Sequence, residues 1–348
     1  MEKTKLKKET SRILWIDVAK AIGAILVVLG HLWYVCSVPE LNQAIYSFHV
    51  VLFFVLSGFL IKRKPGEDFW SFFKNKFIRL IIPTVFYIAI TLPIYFKYQE
   101  PHSTREFLHL LFFVDGKLPF NYACWFPIVL FELLIMERML KIKEQSLSIK
   151  LIMATIFVLM GYLVYTYKVP FLFGFDKAII CFAFLIGGMI AKEVIDKIKT
   201  KMQIKWWHIV CLMIVCGAIW YIFGVKLNQK VSIYYLKLRN YWYFLLSGMF
   251  GTMMICFFCR LVAPVLAFLR IVGQSSFFIV STQYIPIFYF RKYAVEVGIN
   301  KTTKCNLICL ALTVGIVAVM TIVYLILRKI APILVGERRK IKRKPSQV

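Results

Sequence analysis

Long apolar runs separated by short polar stretches make up most of the chain between residues 14 and 328. Each run is close to the roughly 20 residues that an α-helix needs to cross a bilayer. The pattern predicts an all-α, polytopic membrane protein, with about ten transmembrane helices in one bundle. The predicted helices cover residues 14–36, 44–62, 78–97, 121–140, 150–167, 174–192, 207–225, 241–260, 268–290 and 306–328.

Ten such spans leave little of the 348 residues for a second domain. We therefore expect a basic amino-terminal segment at residues 1–13, one transmembrane domain at 14–328 and a basic tail at 329–348. The first apolar run follows a basic start and has no small-residue cleavage site, so we expect it to be a retained anchor.

The composition agrees with a membrane protein and excludes an ordinary soluble enzyme. Apolar residues make up 60% of the chain and charged residues only 18%, and the mean hydropathy is +0.74. The formal charge of +27 is spread between apolar runs and does not form a basic module. We therefore expect membrane lipid, and no nucleic acid, as a partner.

Lys and Arg are distributed unevenly between alternate connections. The termini and every second loop hold more than twice as many as the other loops. By the positive-inside rule both termini are predicted to be cytoplasmic. Cys256 and Cys259 form a CxxC pair in an apolar run without a second pair of Cys or His nearby, so no metal site is expected.

Three ionisable residues share one face of the first predicted helix: Asp17, Lys20 and His31. The helical rise places Lys20 about 16 Å from His31 along the axis, on the cytoplasmic side. A charge inside a membrane is costly and therefore suggests a function. Asp17 and Lys20 can instead form a local ion pair, and His31 can be a hydrogen-bonded packing residue. A neutral imidazole is also the natural general base near neutral pH.

The second predicted helix places His49 close to the level of His31, and Ser57 and Gly58 close to the level of Lys20. Small residues allow a ligand or another helix to approach closely, and tight helix packing explains them equally well. Beyond this helix, Lys76 and Arg79 are spaced to share one side of a helix at the cytoplasmic mouth. There they can bind phosphate groups.

These segments resemble the acyltransferase-3 family of integral-membrane acyltransferases, in its fucose 4-O-acetylase-like branch. The matching stretches are Trp15-Ile16-Asp17-Val18-Ala19-Lys20, Gly30-His31, Phe48-His49, Ser57-Gly58-Phe59, Lys76-Phe77-Ile78-Arg79-Leu80-Ile81-Ile82-Pro83, Trp125-Phe126-Pro127 and Gly273-Gln274-Ser275-Ser276-Phe277-Phe278-Ile279. The similarity in motifs is concentrated in residues 14–83.

The resemblance implies a ten-helix enzyme that transfers an acyl group, commonly acetyl, from acyl-CoA to a hydroxyl of a surface or exported glycan. It implies His31 as the essential histidine and Lys20 as its basic partner. We expect His31 to act as the catalytic base or transient acyl carrier, with Asp17 and His49 near it. The resemblance implies a donor site formed by Lys76, Arg79, Ser57 and Gly58, and we expect Lys74 to contribute to it. No bound cofactor is expected, and acetyl-CoA or another acyl-CoA is the expected co-substrate.

Four further residues are expected at the acceptor: Trp125, Glu132, Ser276 and Gln283. Glu132 can alternatively pair with a buried cation or tyrosine. The chain differs from the resembled family in having Lys at position 20, Val at 51 and Gln at 283 where the family often has Arg, Pro and His. Since Gln283 cannot act as a base, a proton relay through that position is in doubt.

The sequence thus predicts an O-acetyltransferase that modifies a cell-surface polysaccharide or lipid-linked sugar in a bacterial cytoplasmic membrane. Two alternatives stay open, a transporter or flippase of a glycan or lipid-linked sugar, and a sensor whose acyltransferase motifs have degenerated. The sequence does not indicate an oligomeric state.

Overall fold

The computed structural model describes residues 13–32, 39–98, 121–168, 171–201, 203, 205–296 and 303–337. Within these residues the regular elements are helices, and one isolated antiparallel bridge joins Ser232 to Lys237. The α-helices are α1 Leu14–Leu32, α2 Pro39–Tyr46, α3 His49–Phe59, α4 Phe69–Lys76, α5 Ile82–Tyr98, α6 Trp125–Leu140, α7 Leu147–Tyr167, α8 Phe175–Lys201, α9 Trp206–Trp220, α10 Tyr241–Val262, α11 Arg270–Thr282, α12 Tyr284–Glu296 and α13 Thr303–Ile330.

Side-chain caps fix the beginnings of several helices. Asp68 accepts a hydrogen bond from the Ser71 N–H before α4, and Ser146 accepts one from Ile149 before α7. Asn240 caps α10 in the same way. Each cap satisfies a backbone donor of the first turn that has no partner within the helix.

Among the described residues, eight helical segments are long and apolar enough to cross a membrane, which confirms the predicted all-α, polytopic membrane fold. They cover residues 14–32, 40–59, 69–94, 147–167, 172–198, 206–226, 241–262 and 305–330. The two other predicted spans do not form helices of this length. α6 has only 16 residues, and the span predicted at 268–290 divides into α11 and α12.

Pro286 explains the division between α11 and α12. A proline has no N–H to bond to the carbonyl four residues earlier, which here belongs to Thr282, the last residue of α11. The backbone bonds from Gln283 N to Ile279 O and from Ile287 N to Gln283 O continue across the bend. Gln283 therefore lies at a kink between two helices.

Glycine allows α3 and α8 to pack backbone against backbone. A methyl group added at Gly58 would collide with the carbonyl of Leu185, and one added at Gly188 would collide with the carbonyl of Val55. Such small-residue contacts allow close helix packing in membranes, where dispersion attraction drives association. Gly58, which was expected at the donor site, faces this helix interface.

The helix α1 lies against α3, α10, α11 and α13. It carries Lys20 in its second turn and His31 next to its last residue. We call the two ends of the bundle the Lys20 end and the His31 end. The predicted loop at residues 99–120, the amino-terminal segment at 1–12 and the tail from residue 338 lie outside the described residues.

Candidate functional site

A cavity of about 910 Å³ opens at the Lys20 end between α1, α3, α4, α6 and α11. We call it the basic cavity, because six of its lining side chains are cationic: Lys20, Lys62, Lys76, Arg79, Arg270 and Arg328. Glu337 is the one acidic residue among those that line it. Such a surface favours a polyanionic ligand, since each cation gains from a nearby phosphate.

The basic pair Lys76 and Arg79 reaches the cavity from a helix whose geometry changes between them. Lys76 ends α4, and a π-helical turn over Phe77–Ile81 follows and contains Arg79. Both residues line the basic cavity, as their spacing predicts. Lys74 is exposed and is not among the lining residues, although it was expected at the donor site.

The wall of the cavity on α6 is apolar. On α6 the lining extends from Leu134 to Phe126, a distance of about 12 Å along the helix axis. On α11 it extends from Arg270 to Val280 and includes the predicted residue Ser276. The cavity therefore combines a cationic mouth with an apolar wall on α6, and its lining on α11 ends one helical turn before Gln283.

Asp17 links α1 to the basic cavity. Its Oδ2 lies 3.8 Å from Nε of Arg270, which begins α11 and lines the cavity. An added methyl group at Gly273 would collide with the Asp17 backbone carbonyl, so α1 and α11 are in close contact here. Asp17 therefore lies beside Arg270, a cation of another helix. In the sequence it also precedes Lys20 by three residues.

Arg328 and Glu337 join the last spanning helix to the segment that follows it. The Arg328 Nε donates to Glu337 Oε2 at 2.9 Å, and the Tyr324 hydroxyl donates to Glu337 Oε1 at 2.7 Å. The turn Pro332–Val335 folds back beneath α5, where the Tyr87 hydroxyl donates to the Leu334 carbonyl. This segment forms one wall of the basic cavity.

At the other end of α1, His31 is held by two side chains from beyond the α11 kink. Gln283 Nε2 lies 2.7 Å from His31 Nδ1. Arg291 Nη2 donates to the His31 backbone carbonyl at 2.8 Å. Gln283 is fully buried, so its amide fixes the orientation of the imidazole ring.

Tyr46 neighbours both predicted histidines. Its ring centroid lies 6.3 Å from that of His31 and 4.9 Å from that of His49. His49 is buried, and its Nδ1 lies 2.7 Å from the Ile45 carbonyl. Because a carbonyl only accepts, His49 Nδ1 carries the hydrogen and the lone pair lies on Nε2.

The remaining predicted residues lie in three different places. Ser57 lines the basic cavity, and Trp125 packs against Phe54 and Tyr234 near the His31 end. Glu132 lies apart from both sites, and its Oε2 has no hydrogen-bond partner among the described residues. The charges of Asp176 and Lys177, an ion pair of 3.0 Å at the start of α8, act on Glu132.

Sequence reasoning missed Arg270, Arg328 and Arg291. Arg270 and Arg328 lie at helix ends, where Lys and Arg commonly serve membrane topology. Arg291 could have been noticed in the sequence, because it directly follows the predicted span 268–290 on the side where the positive-inside rule expects few cations.

A family model described as an acyltransferase domain matches residues 13–328 of the chain. The match covers all the helices described above except the final short turn. No curated protein and no solved structure matches the chain.

Proposed function

The chain belongs to the acyltransferase-3 family, and from this premise we propose that it is an acyl-CoA-dependent O-acyltransferase, most simply an O-acetyltransferase. The proposed acceptor is a hydroxyl of a cell-surface or lipid-linked glycan. The observation that carries the proposal is the position of the basic cavity. Its interior reaches Val280, about 4.5 Å along the helix from Gln283, which contacts His31.

The basic cavity suits the donor. Coenzyme A carries several phosphate charges at one end and a neutral, flexible arm that ends in the thioester. Lys76, Arg79, Arg270 and Arg328 would bind the phosphates at the mouth, and the arm would follow the apolar wall on α6. Ser57 and Ser276 would contact the arm. The Lys20 end is then the cytoplasmic end, in agreement with the topology predicted from the sequence.

His31 would perform the transfer as a general base. The acceptor hydroxyl attacks the thioester carbon, the carbon–sulfur bond breaks and a carbon–oxygen bond forms. The hydroxyl proton passes to His31 and from there to the departing CoA sulfur. This role needs the lone pair on Nε2, and therefore an Nδ1–H that donates to Gln283 Oε1. The Gln283 amide meets this need when it is turned by 180°, so that Oε1 and not Nε2 faces Nδ1.

His31 would alternatively carry the acyl group on a ring nitrogen before the acceptor takes it. This two-step route breaks the same carbon–sulfur bond and makes the same final carbon–oxygen bond. In both routes Gln283 and Tyr46 orient the imidazole, while Lys20 and Asp17 contribute to the field around the donor.

A transporter or flippase of a glycan or lipid-linked sugar is the second candidate. The observation that favours it is the large cavity that opens at one end of a bundle of membrane helices. It does not explain the contact between Gln283 and His31.

Acetyl-group labelling of acetyl-CoA separates the two functions. The purified protein in lipid nanodiscs is incubated with labelled acetyl-CoA and a mixture of cell-envelope glycans from a bacterial host. An acyltransferase moves the label into the glycan fraction and releases free CoA in equal amount. A transporter leaves the label on acetyl-CoA, because no covalent bond changes. Arg79→Gln should slow the labelling at low donor concentration, and Lys74→Gln serves as the matched control.

A further inference from the structure

An ordered hairpin covers part of the His31 end. It comprises residues 226–240, and we call it the basic hairpin. The Ser232 and Lys237 backbones exchange two hydrogen bonds of 2.9 Å. Asn228 Oδ1 accepts from the Asn240 N–H and so joins the two ends of the hairpin. The Gln43 amide donates to the Val225 carbonyl just before it at 2.8 Å.

This hairpin places a cation beside the predicted catalytic histidine. Lys230 Nζ lies 4.5 Å from the centroid of the Tyr46 ring, which neighbours His31. Arg291 reaches the same place from α12, where it donates to the His31 carbonyl. The charges of Lys230 and Arg291 both act on the His31 ring.

The composition of the basic hairpin is not explained by membrane topology. Its charged residues are Lys226, Lys230, Lys237 and Arg239, and it contains no Asp or Glu. If the Lys20 end is cytoplasmic, the hairpin lies on the opposite side, where the positive-inside rule expects few cations. A concentration of cations on that side therefore needs another cause.

Binding of an anion would be such a cause, because the cations Lys230 and Arg291 repel each other. Burial lowers the pKa of Lys230, and the neighbouring charge of Arg291 lowers it further. Two like charges in a partly desolvated place oppose each other. An anion that contacts both relieves the repulsion and gains two charge-assisted hydrogen bonds.

Aromatic rings next to the cations suit a sugar. Tyr122 packs edge to face against Tyr234 at 5.6 Å and against Tyr284 at 5.2 Å. Trp125 lies 6.2 Å from Tyr234 on the other side. Tyr and Trp combine an apolar ring face with a polar edge, and a sugar likewise presents apolar C–H faces and hydroxyl edges.

We propose that the acceptor is an anionic sugar whose phosphate or carboxylate lies between Lys230 and Arg291, with the reacting hydroxyl at His31. This proposal rests on the proposed function and specifies its substrate class. The two cations would select against neutral glycans and fix the ring in one orientation. The free phosphate ester of a lipid-linked sugar and the carboxylate of a uronic acid share the chemistry that this site recognises.

Binding in the absence of donor tests this proposal independently of turnover. Thermal unfolding of the protein in phosphatidylcholine nanodiscs is followed with glucose 1-phosphate, glucuronate and glucose at millimolar concentrations. We expect both anionic sugars to raise the Tm at concentrations about tenfold below those that glucose needs. Lys230→Gln should remove this preference. Lys226→Gln, the same change in the same hairpin, should retain it.

Two outcomes overturn the proposal. One is an equal effect of glucose and the anionic sugars, or no effect of either, on the wild type. The other is found in phosphatidylglycerol nanodiscs: the Lys230-dependent shift in Tm is lost there and no preference among the three sugars is seen. A lipid headgroup would then occupy the site. Failure of acyl transfer with intact selective binding would refute the proposed function alone. Active transfer to neutral glycans without selective binding would refute this inference alone.

Discussion

The side-chain amide of Gln283 lies 2.7 Å from Nδ1 of His31, although 252 residues separate the two in the sequence. The kink caused by Pro286 places the amide at the end of α11, where it faces the last turn of α1. Gln283 cannot transfer a proton itself. Its position makes it a residue that orients the imidazole for the reaction.

Removal of the Gln283 amide should slow the chemical step and spare donor binding. We expect Gln283→Leu to reduce kcat about tenfold to a hundredfold, since a lost hydrogen bond to a reacting group costs about 1–3 kcal/mol. The KM for acyl-CoA should not change, because the donor phosphates bind at the other end. Steady-state kinetics at saturating acceptor measure both values. Gln229→Leu on the exposed hairpin surface is the control, and a change confined to the donor KM would contradict this role.

The cations of the basic cavity should determine donor affinity. Arg79→Gln and Arg270→Gln should each raise the KM for acyl-CoA about tenfold or more, because a charge-assisted hydrogen bond contributes about 1.5–3 kcal/mol. The effect should diminish as salt rises, since exposed charges are screened. Lys74→Gln should behave like the wild type. Equal effects of all three variants would indicate a diffuse surface charge and not a site.

The close contact between α3 and α8 predicts a strong effect of one methyl group. Gly58→Ala would press the new Cβ against the Leu185 carbonyl, and overpacking of this kind typically costs about 1–3 kcal/mol. We expect a lower Tm and a lower yield of folded protein. Gly315→Ala is the matched control, because among the described residues no atom of a neighbouring side chain or helix lies within 4 Å of an added Cβ there. An unchanged Tm in Gly58→Ala would show that the helices are not in contact at this point.

An ion cluster at the Lys20 end should stabilise the loop between α3 and α4. Arg63 donates to Glu137 at 2.7 Å and to Glu144 at 2.6 Å. Glu137 is buried and also accepts the Lys143 N–H, whereas Glu144 is 42% exposed. Glu137→Gln should therefore lower the Tm more than Glu144→Gln, whose effect should stay below about 1 kcal/mol. The reverse order would contradict the assigned contacts.

The pH dependence of this cluster has a definite sign. The hydrogen bond from Arg63 lowers the pKa of Glu144 below its ordinary value. Glu144 therefore contributes stability above the pKa of an unfolded glutamate, about 4.3, and loses it as the pH falls through the lower folded value. The Tm difference between wild type and Glu144→Gln should be constant near neutral pH and shrink below about pH 4.3. A difference that grows on acidification would contradict this assignment.

The spans could be predicted from the sequence because they depend on local properties. Each long apolar run, such as the one at residues 147–167, becomes a helix since the backbone has no other partners in lipid. The kink at Gln283 was harder to predict from the sequence. A proline such as Pro286 is tolerated as a kink in a membrane helix, and only the packing of α11 against α1 determines which residue faces His31.

The site could be predicted only in part for the same reason. The spacing of Lys76 and Arg79 predicts a shared side, and both line the basic cavity. Arg270 and Arg328 could not be identified, because a cation near a helix end has the same sequence pattern whether it orients the protein in the membrane or lines a cavity. Their common location depends on contacts between helices far apart in the sequence.

Acceptor-dependent release of free CoA from acetyl-CoA measures directly whether His31 catalyses acyl transfer. The wild type is compared in lipid nanodiscs with His31→Ala and with His208→Ala, which changes a histidine at the start of α9. We predict that His31→Ala lowers the rate at least about a hundredfold and that His208→Ala leaves it unchanged. Equal rates in the wild type and His31→Ala would contradict a catalytic role for His31.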